Sequence, residues 1–131
     1  MTAPAGWRRI DLPGGVSFAI PPDARRGAGT SIDSAAGWFE GNGYRLTFDF
    51  GRFGEPLDRF AKEEGVELRS REVAGRAAAE VAFVPTDEPF AWARVVQVDF
   101  GGGRTFTVRV SCESLGGCGL IEAVAASITT A

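Results

Sequence analysis

The sequence contains no histidine, and this absence excludes several kinds of chemistry. Ser-His-Asp triads and Cys-His pairs activate their nucleophiles through an imidazole ring, and many zinc sites use imidazole ligands, so this chain can build none of them. Its single lysine, Lys62, lies beside Glu63 on the outer side of a predicted helix. There a solvated surface lysine is expected, rather than the base of a Ser-Lys dyad. The residue inventory therefore favours binding over catalysis.

Long apolar runs and phosphate-binding motifs are also missing. No stretch is long enough to span a membrane, and the net charge of −3 gives no electrostatic footprint for nucleic acid. The glycine-rich segments 27–29 and 101–103 lack the spacing of a dinucleotide-binding motif or a P-loop, so we expect no cofactor. Two cysteines cannot form a four-thiolate zinc site, and no calcium-binding loop is recognisable, so we expect no metal.

The length of the chain and its N-terminal residues indicate the number of domains and the cellular location. The 131 residues, of which 44% are hydrophobic and 24% are charged, are typical of a single globular domain, 1–131. No apolar run precedes Arg8 and Arg9, so the N-terminus lacks the pattern of a signal peptide. As the sequence stands we expect a cytoplasmic protein. A periplasmic or secreted protein is expected instead if a leader was removed.

Alternation of apolar and polar residues predicts an antiparallel sheet of about six to seven strands. In the clearest strand, 43–51, the side chains of Leu46, Phe48 and Phe50 share one face. Short turns rich in Gly and Pro separate the strands, which favours hairpins because parallel strands need long crossovers. A loop is predicted for 23–31. The predicted strands are 7–12, 16–20, 38–40, 43–51, 66–73, 76–84, 91–100 and 104–112.

Two segments have the spacing of amphipathic helices. In residues 55–65, Leu57, Phe60 and Ala61 form an apolar stripe after Pro56 in the first turn. Residues 120–128 carry a second apolar stripe at helical spacing. The order of elements predicts an α+β fold, an antiparallel sheet with the C-terminal helix on its apolar face.

Three segments together resemble the PsbP-like fold. They are LPGGVSFAIP (12–21), IDSAAGWF (32–39) followed by LTFDFG (46–51), and the closing strand and helix (108–128). That superfamily includes the photosystem II extrinsic subunit PsbP, the Mog-type Ran-binding import factor and many small bacterial proteins, and the sequence is most similar to the bacterial members. The resemblance implies an antiparallel sheet with helices packed on it, as an α/β/α sandwich. It carries over no functional residue, because members share a scaffold and bind different partners.

Cys112 and Cys118 are separated by five residues, at a predicted strand end and just before the last helix. A disulfide between them would fasten that helix to the sheet and stabilise the fold by roughly 2–3 kcal/mol. In a reducing cytoplasm the same residues would remain thiols and pack as small apolar groups. The spacing is not Cys-x-x-Cys, so a redox role is not expected.

Candidate site residues come from one loop and one sheet face. Asp33 and Ser34 could face a ligand with Trp38 as an aromatic wall, or could bond the backbone of their own loop. The polar face of the central strands could be a solvated surface with Arg–carboxylate pairs, or a shallow site for an anionic ligand or a protein. Its residues would be Arg45, Thr47, Asp49, Thr105, Thr107 and Arg109.

These observations predict an accessory or protein-interaction module without catalytic activity, which binds another protein through its sheet face or the Trp38 loop. The alternative is a small-ligand-binding or enzymatic domain whose site lies near Asp33, Ser34, Arg45 and Asp49 in a concave pocket. A third possibility is an accessory protein of a secretion or immunity system, whose acidic pI of about 5.0 complements a basic partner.

Overall fold

The computed structural model describes residues 4–12, 14–26, 36–51, 64–86, 89–114 and 119–130. Within these residues it contains ten β-strands and one α-helix. The elements are β1 (Arg8–Asp11), β2 (Val16–Ile20), β3 (Arg25–Arg26), β4 (Ala36–Gly41), β5 (Tyr44–Gly51), β6 (Glu64–Val73), β7 (Arg76–Val84), β8 (Trp92–Gly101), β9 (Arg104–Cys112), α1 (Leu120–Ser127) and β10 (Thr129–Thr130).

Seven of the strands form one antiparallel sheet in the order β3-β4-β5-β9-β8-β7-β6. This confirms the predicted antiparallel sheet, and β7 and β9 have the predicted bounds. The hairpin of β1 and β2 also forms, but with β10 it makes a separate sheet in the order β1-β2-β10. The first strands therefore cover the large sheet rather than extend it.

Two predicted segments are corrected by strand pairing. The helix predicted for 55–65 is wrong at its last two residues, because Glu64 and Gly65 belong to β6; residues 55–63 lie outside the described residues. The loop predicted for 23–31 is wrong at Arg25 and Arg26, which form β3 along the edge of β4. In both places, pairing with a neighbouring strand overrides the local pattern.

The C-terminal helix α1 packs on β2, β8 and β9 and buries Ile121, Val124 and Ala125. It ends one residue earlier than predicted, because Ile128 is extended (φ −64°, ψ 127°) and leads into β10, which pairs with β2. The described part of the chain has no helix long and apolar enough to cross a membrane. An α/β/α sandwich needs a second helix, and the other segment predicted to be helical, 55–65, lies outside the described residues except for Glu64 and Gly65.

The main core lies between the large sheet and the layer formed by the small sheet and α1. We call this side of the large sheet its inner face and the opposite side its outer face. Phe18 of β2 is fully buried, and its ring centroid lies 5.4 Å from that of Phe48 and 5.3 Å from that of Phe106. These aromatic contacts join the two sheets. Other buried core residues are Ile20, Leu46, Phe50, Val96, Val98, Val108, Val110 and Ile121.

A two-residue turn joins β6 to β7 and sets their register. Ala74 and Gly75 both have positive φ, 53° and 74°, as the type I′ hairpin turn requires. Val73 is therefore paired with Arg76, and further along the hairpin Arg69 lies opposite Glu80. This register brings charged residues of both strands onto the inner face.

Candidate functional site

The outer face of β4, β5 and β9 carries the polar residues expected from the sequence. Thr47 of β5 lies opposite Trp38 of β4 and Arg109 of β9, and Asp49 lies opposite Thr107. Residues directly opposite each other on antiparallel strands point to the same face. The structure thus places on one surface Trp38, Arg45, Thr47, Asp49, Thr105, Thr107 and Arg109.

Arg45 is the centre of an aromatic–arginine cluster made of Trp38, Glu40, Arg45 and Phe90. Its guanidinium carbon lies 4.9 Å from the ring centroid of Trp38 and 5.6 Å from that of Phe90. Both distances are within the range of cation–π attraction, about 6 Å. The guanidinium also donates to Glu40 Oε1 at 3.2 Å. Three contacts thus hold Arg45 in one orientation above the sheet.

The aromatic–arginine cluster is accessible from solvent. The side chain of Arg45 is 33% exposed and that of Glu40 is 51% exposed, while Trp38 and Phe90 are half-buried. Trp and Arg are enriched among the residues that contribute most to protein–protein binding, since both combine apolar area with a polar group. Residue types of this kind are common on protein-binding surfaces.

Arg109 stands beside the cluster but is held by different partners. Its guanidinium carbon lies 5.1 Å from the ring centroid of Phe83, and its Nε donates to Ser111 Oγ at 3.2 Å. Phe83 belongs to a small apolar cluster on the outer face, together with Val81, Ala93 and Val95, whose members are at most 1% exposed. Arg109 thus lies where the polar part of the outer face meets this apolar cluster.

The four residues of the predicted ligand-binding or enzymatic site are only partly described. Asp33 and Ser34 lie outside the described residues. Arg45 and Asp49 share the outer face of β5, but four residues of strand separate their Cα atoms by roughly 13 Å. Asp49 is exposed, opposite Ala36 and Thr107 in the register. The described part of that site is thus two separated side chains on an open surface.

Two grooves lie elsewhere. One, of about 520 Å³, lies between the end of β6 and the end of α1, and its lining includes Arg71, Val73 and Ile128. The other, of about 180 Å³, lies over Ala77 to Ala79 and includes Gln97 and Thr105. Trp38, Arg45, Asp49 and Arg109 are not among the described residues that line either groove. The described ranges also hold no group of three or more Cys, Asp and Glu residues placed to bind a metal ion.

A buried charge cluster on the inner face was not anticipated from the sequence. Glu80 is buried, with 2% of the residue exposed, and its carboxylate accepts hydrogen bonds from Arg69 and Arg94, both at 2.6 Å, and from Arg71 at 2.5 Å. Glu122 of α1 accepts from Arg94 at 2.6 Å and from Arg71 at 3.1 Å. This Glu80 cluster, consisting of Arg69, Arg71, Glu80, Arg94 and Glu122, ties α1 to three strands.

The arginines control the ionisation of both carboxylates. Burial alone would raise the pKa of Glu80, but the hydrogen bonds and charges of Arg94, Arg69 and Arg71 outweigh it and hold this pKa below its ordinary value. Burial acts in the same direction on Glu122, and hydrogen bonds from Arg71 and Arg94 lower its pKa overall. Both carboxylates are therefore ionised at neutral pH. One signal in the sequence was available: Glu80 interrupts an apolar strand opposite Arg69 in the predicted hairpin.

Cys112 ends β9 on the inner face. It is fully buried and is disulfide-bonded. Its sulfur lies 3.5 Å from the carbonyl oxygen of Trp92, the residue opposite it on β8. Cys118, the other cysteine of the sequence, lies outside the described residues. Pairing of Cys112 with Cys118 is our proposal, and it would link the end of β9 to the start of α1.

Comparison with known proteins places the fold. No protein-family model matches the chain, and a search of curated proteins gives no match. The structure is similar to the solution structure of cyanobacterial PsbP (CyanoP) from Synechocystis sp. PCC 6803, with a TM-score of 0.65. The alignment covers 98% of this chain and 94% of that chain, at 13% sequence identity. The chain therefore has a PsbP-like fold, as the sequence resemblance implied, and this identity shows the fold alone.

Proposed function

We propose that the protein is a non-catalytic interaction module that binds another protein through the aromatic–arginine cluster. The observation that supports this most strongly is the position of Arg45 between the rings of Trp38 and Phe90. A guanidinium held between two rings loses little side-chain freedom on binding, and loss of such freedom is a main cost of association.

The strands below the cluster support the same proposal. Trp38 and Glu40 lie on β4 and Arg45 on β5, and these strands pair in unbroken register from Ala36–Asp49 to Gly41–Tyr44. On the other side β5 pairs with β9 along its whole length. Side chains on paired strands are positioned more precisely than side chains on loops. The surface is therefore organised before a partner arrives.

The fold agrees with an accessory role but does not identify the partner, because proteins that share a scaffold bind different molecules. The sequence resemblance to small bacterial members of the PsbP-like superfamily is consistent with this. The accessory module of a secretion or immunity system, with a basic partner for this acidic chain, stays one form of the proposal.

The disulfide of Cys112 is relevant to the cellular compartment in which the protein resides. Disulfides persist in oxidising compartments and are rare in the cytoplasm, where thiols are kept reduced. Of the two expected locations, this supports a periplasmic or secreted one. Cell fractionation with an antibody to the protein would test it, and a signal confined to the cytoplasmic fraction would contradict it.

The binding proposal is tested by quantitative affinity purification with four forms of the chain: wild type, Trp38→Ala, Arg45→Ala and the control Asp99→Ala. Asp99 is an exposed outer-face residue of β8 that lies away from the cluster. We expect one protein to be enriched by the wild type and by Asp99→Ala and lost with both cluster variants. Purified together, that pair should bind at least tenfold more weakly after either cluster substitution, the size typical of a central binding residue.

Two results would contradict the proposal. One is equal recovery of every protein by all four forms, since binding would then not depend on the cluster. The other is specific turnover of a small molecule by the purified chain that is abolished by Arg45→Ala or by Asp49→Ala, because the predicted enzymatic site would then be the correct one.

A further inference from the structure

The strand β6 is the last strand of the large sheet within the described residues. It pairs with β7 in regular register over residues 68–73, and no described strand pairs with its other side. We call residues 68–73 the β6 edge. An edge strand presents a row of backbone N–H and C=O groups that can pair with a further strand. This edge is accessible, since its exposed residues are Leu68, Arg69, Ser70 and Glu72.

The hairpin turn determines which backbone groups point outward. Val73 and Arg76 close the two-residue turn, and the closing pair of such a hairpin is hydrogen-bonded. Hydrogen-bonded and non-hydrogen-bonded pairs alternate along antiparallel strands. Arg71 and Arg69 therefore bond toward β7, whereas the N–H and C=O groups of the alternate residues point away from the sheet. The outward groups belong to Leu68, Ser70 and Glu72.

The groove of about 520 Å³ runs beside the β6 edge. Residues 71–74 form one of its walls, and residues at the end of α1 and the start of β10 form the other. Its apolar lining includes Val73, Ala125 and Ile128, which are at most 5% exposed. An extended peptide that adds a strand to a sheet edge gains affinity from backbone hydrogen bonds and specificity from pockets for alternate side chains. The open edge and the adjoining groove provide both.

The side chains along the β6 edge differ in chemistry and so favour particular residues in an added strand. Leu68, 61% exposed, and Glu72 lie on the outer face, whereas Val73 and Arg69 lie on the inner face. Residues directly opposite each other on antiparallel strands interact, and opposite charges stabilise the pair. An added strand therefore gains from apolar residues opposite Leu68 and Val73. It also gains from an acidic residue opposite Arg69 and a basic residue opposite Glu72.

The Glu80 cluster gives a second reason for the acidic residue. The cluster contains three arginines and two glutamates, so one positive charge is in excess. The side chain of Arg69 is 63% exposed, whereas those of Arg71 and Arg94 are 23% and 16% exposed. The excess charge is thus most accessible at Arg69, where an added strand would meet it.

We propose that the β6 edge binds an extended segment of another protein, which pairs antiparallel with residues 68–73 and has the pattern apolar–basic–x–x–acidic–apolar. Its first apolar residue enters the groove beside Val73, and its last one packs on Leu68. A second copy of β6 suits this edge less well. Pairing around Ser70 would set Arg69 of each chain against Arg71 of the other, and like charges directly opposite are destabilising.

The β6 edge is separate from the aromatic–arginine cluster, which lies on β4 and β5 near the opposite end of the strand order. Binding at the edge does not rest on the proposed function, so either proposal can fail alone. Trp38→Ala distinguishes the two sites, because it removes a ring of the cluster and leaves the β6 edge unchanged. This variant should bind a peptide at the edge like the wild type.

Fluorescence anisotropy with the labelled peptide Thr-Val-Lys-Ser-Thr-Glu-Leu-Thr tests the proposal at protein concentrations from about 1 μM to about 1 mM. We expect saturable binding, with the Thr at the fifth position opposite Ser70. N-methylation of that Thr should weaken binding about tenfold, because its amide donates to β6. N-methylation of the preceding Ser is the matched control, since its amide points away from β6, and it should have little effect.

A charge exchange tests the register. Glu72→Lys should weaken binding of this peptide at least about threefold, because two cations would face each other. A peptide in which Glu replaces the Lys should show the opposite preference and bind Glu72→Lys more tightly than the wild type. Asp11→Lys makes the same charge change at an exposed position of β1 and should bind both peptides like the wild type.

The groove is tested by filling it. Ala126 lines the groove and is half-buried, so the ring added by Ala126→Phe should occupy the space that the peptide valine needs and weaken binding. Ala123→Phe is the control, because Ala123 is also half-buried on α1 but is not among the described residues that line the groove. Circular dichroism checks that each variant keeps the fold.

Several results would overturn the proposal. They are no binding of the peptide by the wild type up to about 1 mM, equal effects of the two N-methylations, no change of preference in the charge exchange, and loss of peptide binding in Trp38→Ala. Sedimentation velocity of the chain alone adds one more. A dimer that the peptide dissociates would make a second copy the occupant of the edge.

Discussion

The carboxylate of Glu80 on β7 forms a 2.6 Å ion pair with the guanidinium of Arg94 on β8, in a position where the glutamate side chain is only 3% exposed. Arg71, 23% exposed, contacts the same carboxylate at 2.5 Å. Removing one member of a buried ion pair leaves its partners desolvated without compensation. We therefore expect Glu80→Gln to lower the free energy of unfolding by about 3–5 kcal/mol, measured by urea denaturation at neutral pH.

Glu122 provides the matched control for this prediction. It pairs with the same arginines, Arg94 at 2.6 Å and Arg71 at 3.1 Å, but its side chain is 48% exposed. Ion pairs in contact with water contribute about 0–1 kcal/mol, so Glu122→Gln should have a small effect. If the two variants lose equal free energy of unfolding, or if Glu80→Gln loses none, burial of the Glu80 carboxylate does not determine how much its ion pairs stabilise the fold.

The pH dependence of stability follows from the same carboxylates. The pKa values of Glu80 and Glu122 are lowered in the folded state from an ordinary value of 4.5, so the unfolded chain binds protons more readily. The stability that they contribute is fully present above about pH 5 and is lost as the pH falls through their folded pKa values.

We expect the urea midpoint to fall steadily as the buffer is taken from about pH 6 to about pH 3. Glu80→Gln should flatten this profile, because one of the two shifted groups is gone. A wild-type midpoint that is unchanged down to pH 3, or an equally steep fall in the variant, would contradict the assignment.

The strands could be predicted where alternation and turns agree. Residues 104–112 have the predicted bounds because Phe106, Val108, Val110 and Cys112 alternate with polar residues after a glycine turn. Residues 76–84 are a nearly continuous apolar run, and their bounds come from the turn at Ala74-Gly75 before the strand and from Pro85 after it. Thr129 and Thr130 form a strand that is too short to show any period. It exists because β2 offers a free edge beside it, and only the tertiary structure supplies that edge.

Part of the aromatic–arginine cluster could also be predicted from a turn and the strands beside it. The turn at Asn42-Gly43 makes a hairpin of the flanking strands, and this hairpin brings Trp38 and Arg45 onto one face. Phe90 precedes β8, which joins the sheet on the far side of β9. Its approach to Arg45 therefore depends on the strand order, which local sequence does not determine.

Gly41, at the end of β4, is packed against the ring of Tyr44. A Cβ atom at position 41 would overlap that ring, and Tyr44 is buried, with its hydroxyl donating to Asp23 at 2.8 Å. Burial and this hydrogen bond raise the pKa of Tyr44, so the ring has a closely fitted site. We expect Gly41→Ala to lower the free energy of unfolding by about 1–3 kcal/mol, as overpacking in a core does.

Gly51→Ala is the control for this prediction, because a Cβ atom there would meet Asp49 Oδ1 at 3.7 Å, an ordinary contact distance. Denaturant unfolding should show little change for Gly51→Ala. If Gly41→Ala is as stable as the wild type, the ring of Tyr44 has room to move and the contact is not close in solution.

Phe18 tests whether the two sheets fold as one unit. It is the side chain of β2 that reaches both Phe48 and Phe106 of the large sheet, and it is fully buried. Phe18→Ala should lower the free energy of unfolding by about 3–5 kcal/mol, since a buried aromatic ring is removed and a cavity remains. Phe100→Ala, at a half-buried position, should lower the free energy of unfolding by less. Tryptophan fluorescence and far-ultraviolet circular dichroism should give coincident unfolding curves in each case. Separate transitions in Phe18→Ala would show that the three-stranded sheet detaches on its own, and the core between the sheets would then not be a single cooperative unit.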